Sequence, residues 1–552
     1  PTTTTTTTTI DVNNGVDVVD VNAGTPTMSP SQHVQGFVDD APVVTTVNTR
    51  TRRPTRRPTS KPQEEEEEQD DTQGRVPPEV EDKVLLQEYD EEAEVPPLEM
   101  GPLVGYTTYD SVTLWAYHAW TNYTMEILLY DESVDDEGNK VLRSVEMAQP
   151  LKEHNNAIIT TITNLEPATE YRYKMHIHKV RVGSGRFRTP PRHDSNKYLS
   201  STSDGDDKGN DGGGGGGGEG STFDYILTSC MNHRQYKNQL VWDEIINTAL
   251  NGRYPDFTIL AGDTIYLQDG VDVTDDEGVK YDRVWFRNWE QRNEQHFANY
   301  IRNVPMYTTW NDHEYGSNNA NWDQQGKDKS IQAFKDVWAN PGYGDLTRKN
   351  ENTGVYYSYY WGDVHFIVTD DHWYRNPVTE NRLGVTQTKW LETELRQSRG
   401  TFKVIVIGSD IMQRGWNTDL VNIGTIVRTH KINGVLFHAG DIHRNEYKRV
   451  VTGGFPYPVT QITSSGVAKV WRRPFVHIHV DTTLTSNAID NNDNNVYDPS
   501  LTASFYGANS TADVTTWYND PTLRCSSIVG EDRDKEHTCT ERIHLSELTV
   551  EA

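Results

Sequence analysis

Six strand-like apolar runs between residues 223 and 475 end on side chains able to hold a metal ion. Cys230 closes "FDYILTSC", and Asp263 closes "DFTILAGD" with Tyr266 one turn further on. Asp312 and His313 close "VPMYTTWND"; Asp370 and Asp371 end "YYSYYWGDVHFIVTDD". Asp410 closes "FKVIVIGSD", and Asp441 with His443 follows "INGVLFHAGD". A single Asp after a strand is more often a helix cap or turn former, and a lone strand-end Cys is usually a small buried apolar residue. Six such ends point elsewhere. In α/β sheets ligands bind at the carboxyl ends of strands, so these residues are expected to converge on one crevice. Carboxylates, imidazole, one phenol and one thiol suit a multinuclear site with a hard ion and a softer one, not a structural zinc site of four Cys or His. The phenol and thiol together point to iron.

The elements that must position these groups are legible as period. Between the strands lie helical periodicities such as "QLVWDEIINTAL", "YDRVWFRNWEQRNEQHFANYIRNV" and "TQTKWLETELRQS". Residues 223–552 therefore read as an α/β catalytic domain with buried strands, its last strands "FVHIHVDTT" and "RIHLSELTV" closing an edge. Residues 98–190 carry short alternating strands separated by turn residues, the spacing of a small β-sandwich. Within them "NLEPATEYRYKM" looks like a fibronectin type III corner. Residues 191–222, with "DGGGGGGGEG", read as a flexible linker, and residues 1–97 as a disordered low-complexity tail. The basic "RTRRPTRRPTSKP" of that tail runs straight into "QEEEEEQDD", so it reads as a solvated segment.

A formal net charge of -29 argues against nucleic acid or an anionic membrane as a binding partner. An anionic substrate must then be drawn in locally, by a cation. No apolar run approaches the ~20 residues of a membrane span. Cys525 and Cys539 sit in a polar C-terminal segment and are expected to form a disulfide, and Asn122 and Asn509 lie in glycosylation sequons. Together these lean toward a secreted or cell-surface protein.

Taken in order, "SC" at 229–230, "GDTIY" at 262–266, "WNDHE" at 310–314, "LGVTQTKWLETEL" at 383–395 and "GDIH" at 440–443 resemble the motifs of PhoD-type alkaline phosphatases. These belong to the metallophosphoesterases, which include the purple acid phosphatases. The resemblance covers about residues 100–480. It implies a two-sheet β core flanked by helices, with a fibronectin- or Ig-like β-sandwich in front. It also implies a site holding Fe3+ and Ca2+, with Cys230, Asp263, Tyr266, Asp312, Asp371, Asp441 and His443 as ligands. The implied activity is hydrolysis of small phosphate esters, as mono- or diesterase, by a monomer. A metal-bound water or hydroxide, whose pKa falls from 15.7 to about 7 on zinc, would attack phosphorus in line. His313 would protonate the leaving alkoxide, and Arg375 would clamp the phosphate. Two positions depart from the pattern: Asn311 stands where the family usually has an acid, and His372 where it often has an Arg. The alternatives are a dinuclear hydrolase closer to the purple acid phosphatases, or a metal-binding extracellular protein without turnover.

Overall fold

A computed structural model describes residues 95–131, 141–192, 220–342, 354–413, 417–452, 454–467, 475–483, 499–506 and 540–550. The expected tail, most of the Gly-rich linker, Asn509 and the Cys525–Cys539 pair lie outside the described residues. The described residues belong to one compact unit.

Strict alternation builds the first layer. Strands β1 (Met100–Thr108), β2 (Ser111–Tyr117), β3 (Met125–Asp131), β4 (Val141–Ala148), β5 (Ile158–Thr163), β6 (Glu170–Ile177) and β7 (Val180–Arg188) form two antiparallel sheets, ordered β1-β2-β5 and β4-β3-β6-β7. Along β6, Tyr171, Tyr173, Met175 and Ile177 are buried at every second position, as the pleat requires. They share one cluster with Val104, Leu114 and Ile162 of the other sheet. The Tyr171 hydroxyl accepts the Glu166 amide at 2.8 Å, fixing the turn into β6.

The remaining chain runs through β8 (Thr222–Thr228), α1 (Val241–Glu244), β9 (Phe257–Ala261), the ribbon β10 (Val273–Thr274) and β11 (Gly278–Val279), α2 (Tyr281–Arg292) and α3 (Gln295–Ile301). It continues with β12 (Met306–Thr309), α4 (Asp312–Tyr315), α5 (Lys327–Val337), β13 (Tyr357–Trp361), β14 (Val364–Val368), α6 (Gly384–Gln397), β15 (Lys403–Ile407), α7 (Asn417–Thr429) and β16 (Val435–Ala439). It ends with β17 (Glu446–Val450), β18 (Val459–Thr463), β19 (Phe475–Asp481), β20 (Ser500–Tyr506) and β21 (Thr540–His544). Two six-stranded sheets result, ordered β12-β9-β8-β19-β20-β21 and β13-β14-β15-β16-β18-β17. Side chains of both meet in one core, where β9, β14 and β16 are buried on both faces. Helices α1, α3 and α5 cover the outer face of the first sheet. Leu391 and Leu395 of α6, with Leu420, Ile423 and Val427 of α7, pack into the core around the second at helical spacing.

Two runs that look continuous in sequence are broken. "YYSYYWGDVHFIV" is a hairpin, turning at Gly362 with φ of 55°, a left-handed conformation that glycine adopts freely. The long helical stretch after Tyr281 splits into α2 and α3, because the Glu294 side chain accepts the Phe297 amide at 2.8 Å and starts a new helix.

The first layer is bolted to the site-bearing sheets by buried polar contacts. Trp115 Nε1 donates to the Asp336 carbonyl at 2.8 Å, and the Tyr307 hydroxyl donates to the Thr107 carbonyl at 3.0 Å. The fully buried Arg292 guanidinium lies 4.4 Å from the ring centroids of both Trp115 and Trp338. Trp115→Ala is expected to destabilise the whole unit by about 3–5 kcal/mol, leaving one cooperative transition. Denaturant unfolding followed by circular dichroism checks it; a separate early transition for the β-layer would count against this coupling.

Candidate metal centre

Parallel pairing decides where the candidate ligands meet. β12, β9 and β8 pair in parallel in one sheet, and β14, β15, β16 and β18 in the other, so their carboxyl ends open on a common edge. The backbone there is unusual. Cys230, Asp263, Asp441 and His443 have φ of 58°, 55°, 74° and 55°, left-handed values costing non-glycine residues about 1–2 kcal/mol each. Gly262, with φ of 81°, is needed beside Asp263, because a Cβ there would stand 2.7 Å from Asn311 Cβ.

Two close groups of ligand atoms form, and Asp263 belongs to both. Cys230, Asp263 and His443 place their atoms within 4.8 Å of one another, as do Asp263, Asp312 and His313. Cys230 Sγ is 3.3 Å from Asp263 Oδ2, and the Tyr266 hydroxyl lies 3.4 Å from that oxygen and 3.3 Å from His443 Nε2. The His313 ring is tilted against Tyr266 at 4.1 Å between centroids, among the carboxylates, close enough for ligation or for proton transfer. Ser465 ties the first group together: its hydroxyl is 2.9 Å from Cys230 Sγ and accepts the His443 amide at 2.8 Å.

A single carboxylate braces the arrangement. Glu314, fully enclosed, accepts the Asp263 amide at 3.0 Å, the Asn311 amide at 3.1 Å, and both the amide and hydroxyl of Thr264. It locks the loop after β9 to the start of α4.

No family model matches the chain, and no curated protein matches it. Among solved structures, that of PhoD matches with a TM-score of 0.57 at 14% identity, covering 78% of this chain and 88% of that one. The chain therefore shares the fold of the PhoD structure. Purple acid phosphatase PPD1 from yellow lupin (Lupinus luteus) seeds matches with a TM-score of 0.47 at 11% identity, covering 74% and 71%.

The electrostatics of the site test its fit to cations. Burial, then the charges of Asp312, Glu314 and Asp441, push the Asp263 carboxyl well up. Burial and the charges of Asp312 and Asp371 push Asp441 up to about 6. The Cys230 thiol and Tyr266 phenol are raised by burial and by Asp263. For Asp312, burial is outweighed by His372, His313, the Asn319 amide and Arg375, which hold its carboxyl below the usual range. Burial lowers His313, with Asp312 opposing. Asp263 Oδ1 and Asp371 Oδ1 are buried and accept no hydrogen bond, with His372 Nε2 3.8 Å from the latter. Acids crowded in this way, with unsatisfied oxygens, are stabilised by bound cations, so the donor set fits metal ions.

The PhoD-like frame does not use every strand-end acid alike. Asp371 and Asp441 fall outside the two close groups; Asp441 acts electrostatically on Asp263 and Cys230, and Asp371 on Asp441. Asp371 Oδ2 accepts the Ser409 amide at 2.9 Å. Asp370 caps the structure: it accepts Trp310 Nε1 at 2.7 Å and the amides of His372, Trp373 and Val355. Asp410 turns to Lys448 at 2.5 Å and Gln461 at 2.7 Å. Arg375 is nearly buried and acts on Asp312, and its carbonyl accepts the Trp322 amide at 2.9 Å.

The two departures from the PhoD pattern touch each other. His372 Nε2 donates to Asn311 Oδ1 at 2.6 Å, and the Ser409 hydroxyl donates to the same oxygen at 3.1 Å. Sequence reasoning passed over Glu314, Ser465 and Arg382. Glu314 carried a signal, since Asn311-x-x-Glu314 has the spacing of a capping box. Arg382, which donates to the Asp410 carbonyl at 2.8 Å and acts on Asp371, carried none.

Glu314→Gln would turn an amide NH2 toward backbone donors. It is expected to destabilise the fold by about 1–3 kcal/mol and to weaken metal binding by about 10–100-fold. Chemical denaturation and metal titration check it, and a variant indistinguishable from wild type in both would refute the bracing role.

Proposed function

We propose that the chain hydrolyses phosphate esters at this site, as a mono- or diesterase. The observation that carries the reading is Asp263: one buried carboxylate shared by two ligand groups, with an unsatisfied oxygen, at the strand ends of a PhoD-like fold. Cys230, Asp263, Tyr266 and His443 would hold one ion, for which thiolate and phenolate favour ferric iron. Asp263 and Asp312, with Asp371 and Asp441 close by, offer the oxygen-rich environment that calcium prefers. When bound, such cations supply Lewis acidity and positive charge against the phosphoryl oxygens.

The chain's own residues do the rest. Arg375, on the Asp312 side with His372 nearby, adds positive charge where a phosphate would lie. His313, held against Tyr266, is placed to give a proton to the departing alkoxide, a role worth about 10²–10⁴-fold. Asn319 fixes Asp312 by donating its amide at 2.6 Å. The Tyr171–Glu166 corner supports reading residues 98–190 as a fibronectin- or Ig-like module that carries no chemistry. Exposed Asn122 is consistent with a secreted or cell-surface protein.

Asp263→Asn is expected to lower hydrolysis of p-nitrophenyl phosphate and its bis-ester by more than about 100-fold while circular dichroism stays unchanged. Unchanged turnover at saturating metal would refute the assignment. Iron bound by phenolate or thiolate is expected to colour the protein, and the colour should vanish on chelation or reduction. Cys230→Ser is expected to lose iron, because an alkoxide forms far less readily than a thiolate at neutral pH. Elemental analysis that finds calcium or zinc in a colourless, active protein would overturn the ferric assignment alone.

A further inference from the structure

The loop that follows β18 is clamped against the strand ends that carry Cys230 and His443. β18 runs parallel to β16, so the two leave their sheet at the same edge. The Ser464 amide donates to the carbonyl of Ala439, the last residue of β16, at 3.0 Å. The Gly466 and Val467 amides both donate to the Ser229 carbonyl at 3.3 Å, and the Ser229 hydroxyl donates to the Ser464 carbonyl at 3.0 Å. The Ser464 hydroxyl donates in turn to Asn445 Oδ1 at 3.0 Å. Ser465 lies inside this clamp, fully buried, as is Cys230.

The contacts assign the protons around the sulfur. The Ser465 oxygen accepts the His443 amide at 2.8 Å, which leaves its own proton to find another partner. Cys230 Sγ stands 2.9 Å from that oxygen. The thiol proton has a separate acceptor, Asp263 Oδ2, at 3.3 Å. Ser229 Oγ is also 3.4 Å from the sulfur, but its single proton goes to the Ser464 carbonyl, the shorter contact. A cysteine that ligates a cation has lost its proton and can only accept. The bond from Ser465 therefore survives metal binding, whereas the thiol's bond to Asp263 does not.

We propose that Ser465 is a positioning residue that sets how much charge the Cys230 sulfur gives to the cation it holds. A hydrogen bond to a thiolate draws electron density from the sulfur and so weakens its donation to a metal. The ion is left a stronger Lewis acid toward phosphoryl oxygens. Burial strengthens the effect, because no water competes for the sulfur. The proposal rests on the metal-dependent phosphoesterase reading given above. Ser465 makes and breaks no covalent bond; it acts through Cys230.

Iron supplied to the chelator-stripped full chain reads the effect as a ratio. Ser465→Ala is expected to raise the preference for ferric over ferrous iron about tenfold, a fall in reduction potential of about 59 mV for one electron. With cobalt(II) loaded instead, the thiolate-to-metal absorption band should move to longer wavelength. Ser465→Thr, which keeps the hydroxyl, should restore both readouts, and Ser229→Ala should move neither. Ser465→Gly gives the same comparison if the alanine variant does not fold. Equal weakening of both iron states at an unchanged potential would overturn the proposal and leave Ser465 a strut. A wild-type cobalt form without a thiolate band would remove Cys230 from the ligands, and the proposal with it, while turnover of p-nitrophenyl phosphate by the same chain would keep the phosphoesterase reading. Loss of that turnover with the band present would overturn the phosphoesterase reading instead.

Discussion

The grip of Glu314 on three backbone amides from two loops is the constraint on which the site depends. β9 and β12 are adjacent parallel strands in register from Met306 opposite Thr258 to Thr309 opposite Ala261. The loops leaving them therefore run side by side, with amides at Asp263, Thr264 and Asn311 that no strand partner can accept. Water could satisfy those donors, but it would leave the loops free to separate. A buried carboxylate satisfies them and fixes their spacing, at a desolvation penalty visible in the rise of Glu314 to about 7. Only with that spacing fixed can Asp263 remain in its left-handed conformation and serve two ligand groups at once.

Charge is sorted across the crevice. Acids, thiol and phenol gather round Asp263, while His372, Arg375 and Arg382 stand toward Asp312 and Asp371. A chain with a net charge of -29 repels phosphate at long range. Attraction must be local and short, and this side of the crevice is where the fold concentrates it. Lys448, a further cation close to a strand-end acid, is occupied by Asp410 and Glu446.

The sequence made the candidate ligand positions readable because parallel strands repeat one grammar: an apolar run, then a polar side chain at its carboxyl end. Cys230, Asp263, Tyr266, Asp312, His313 and His443 obey it, and the structure brings them together. Asp370 and Asp410 obey it too, yet they serve indole, amide and ammonium partners, because a carboxylate at a strand end has several uses that pattern cannot separate. Ser465 and Arg382 were illegible for a different reason. Their roles arise from contacts with residues far away in sequence: Cys230 for the first, and the loop of Asp410 for the second. The breaks at Gly362 and Glu294 were present as residues, but a continuous apolar or helical period hid them.

The hydrogen bond between His372 and Asn311 limits what either position can hold. The two side chains lie 61 positions apart in the chain and share one proton contact of 2.6 Å in a space closed to solvent. The two ring nitrogens face two oxygens, Asn311 Oδ1 and the Ala320 carbonyl, whereas a guanidinium at 372 would bring more donors than those oxygens can accept. Positions 311 and 372 are thus coupled across the crevice: a residue with more donors at 372 would call for a further acceptor beside it.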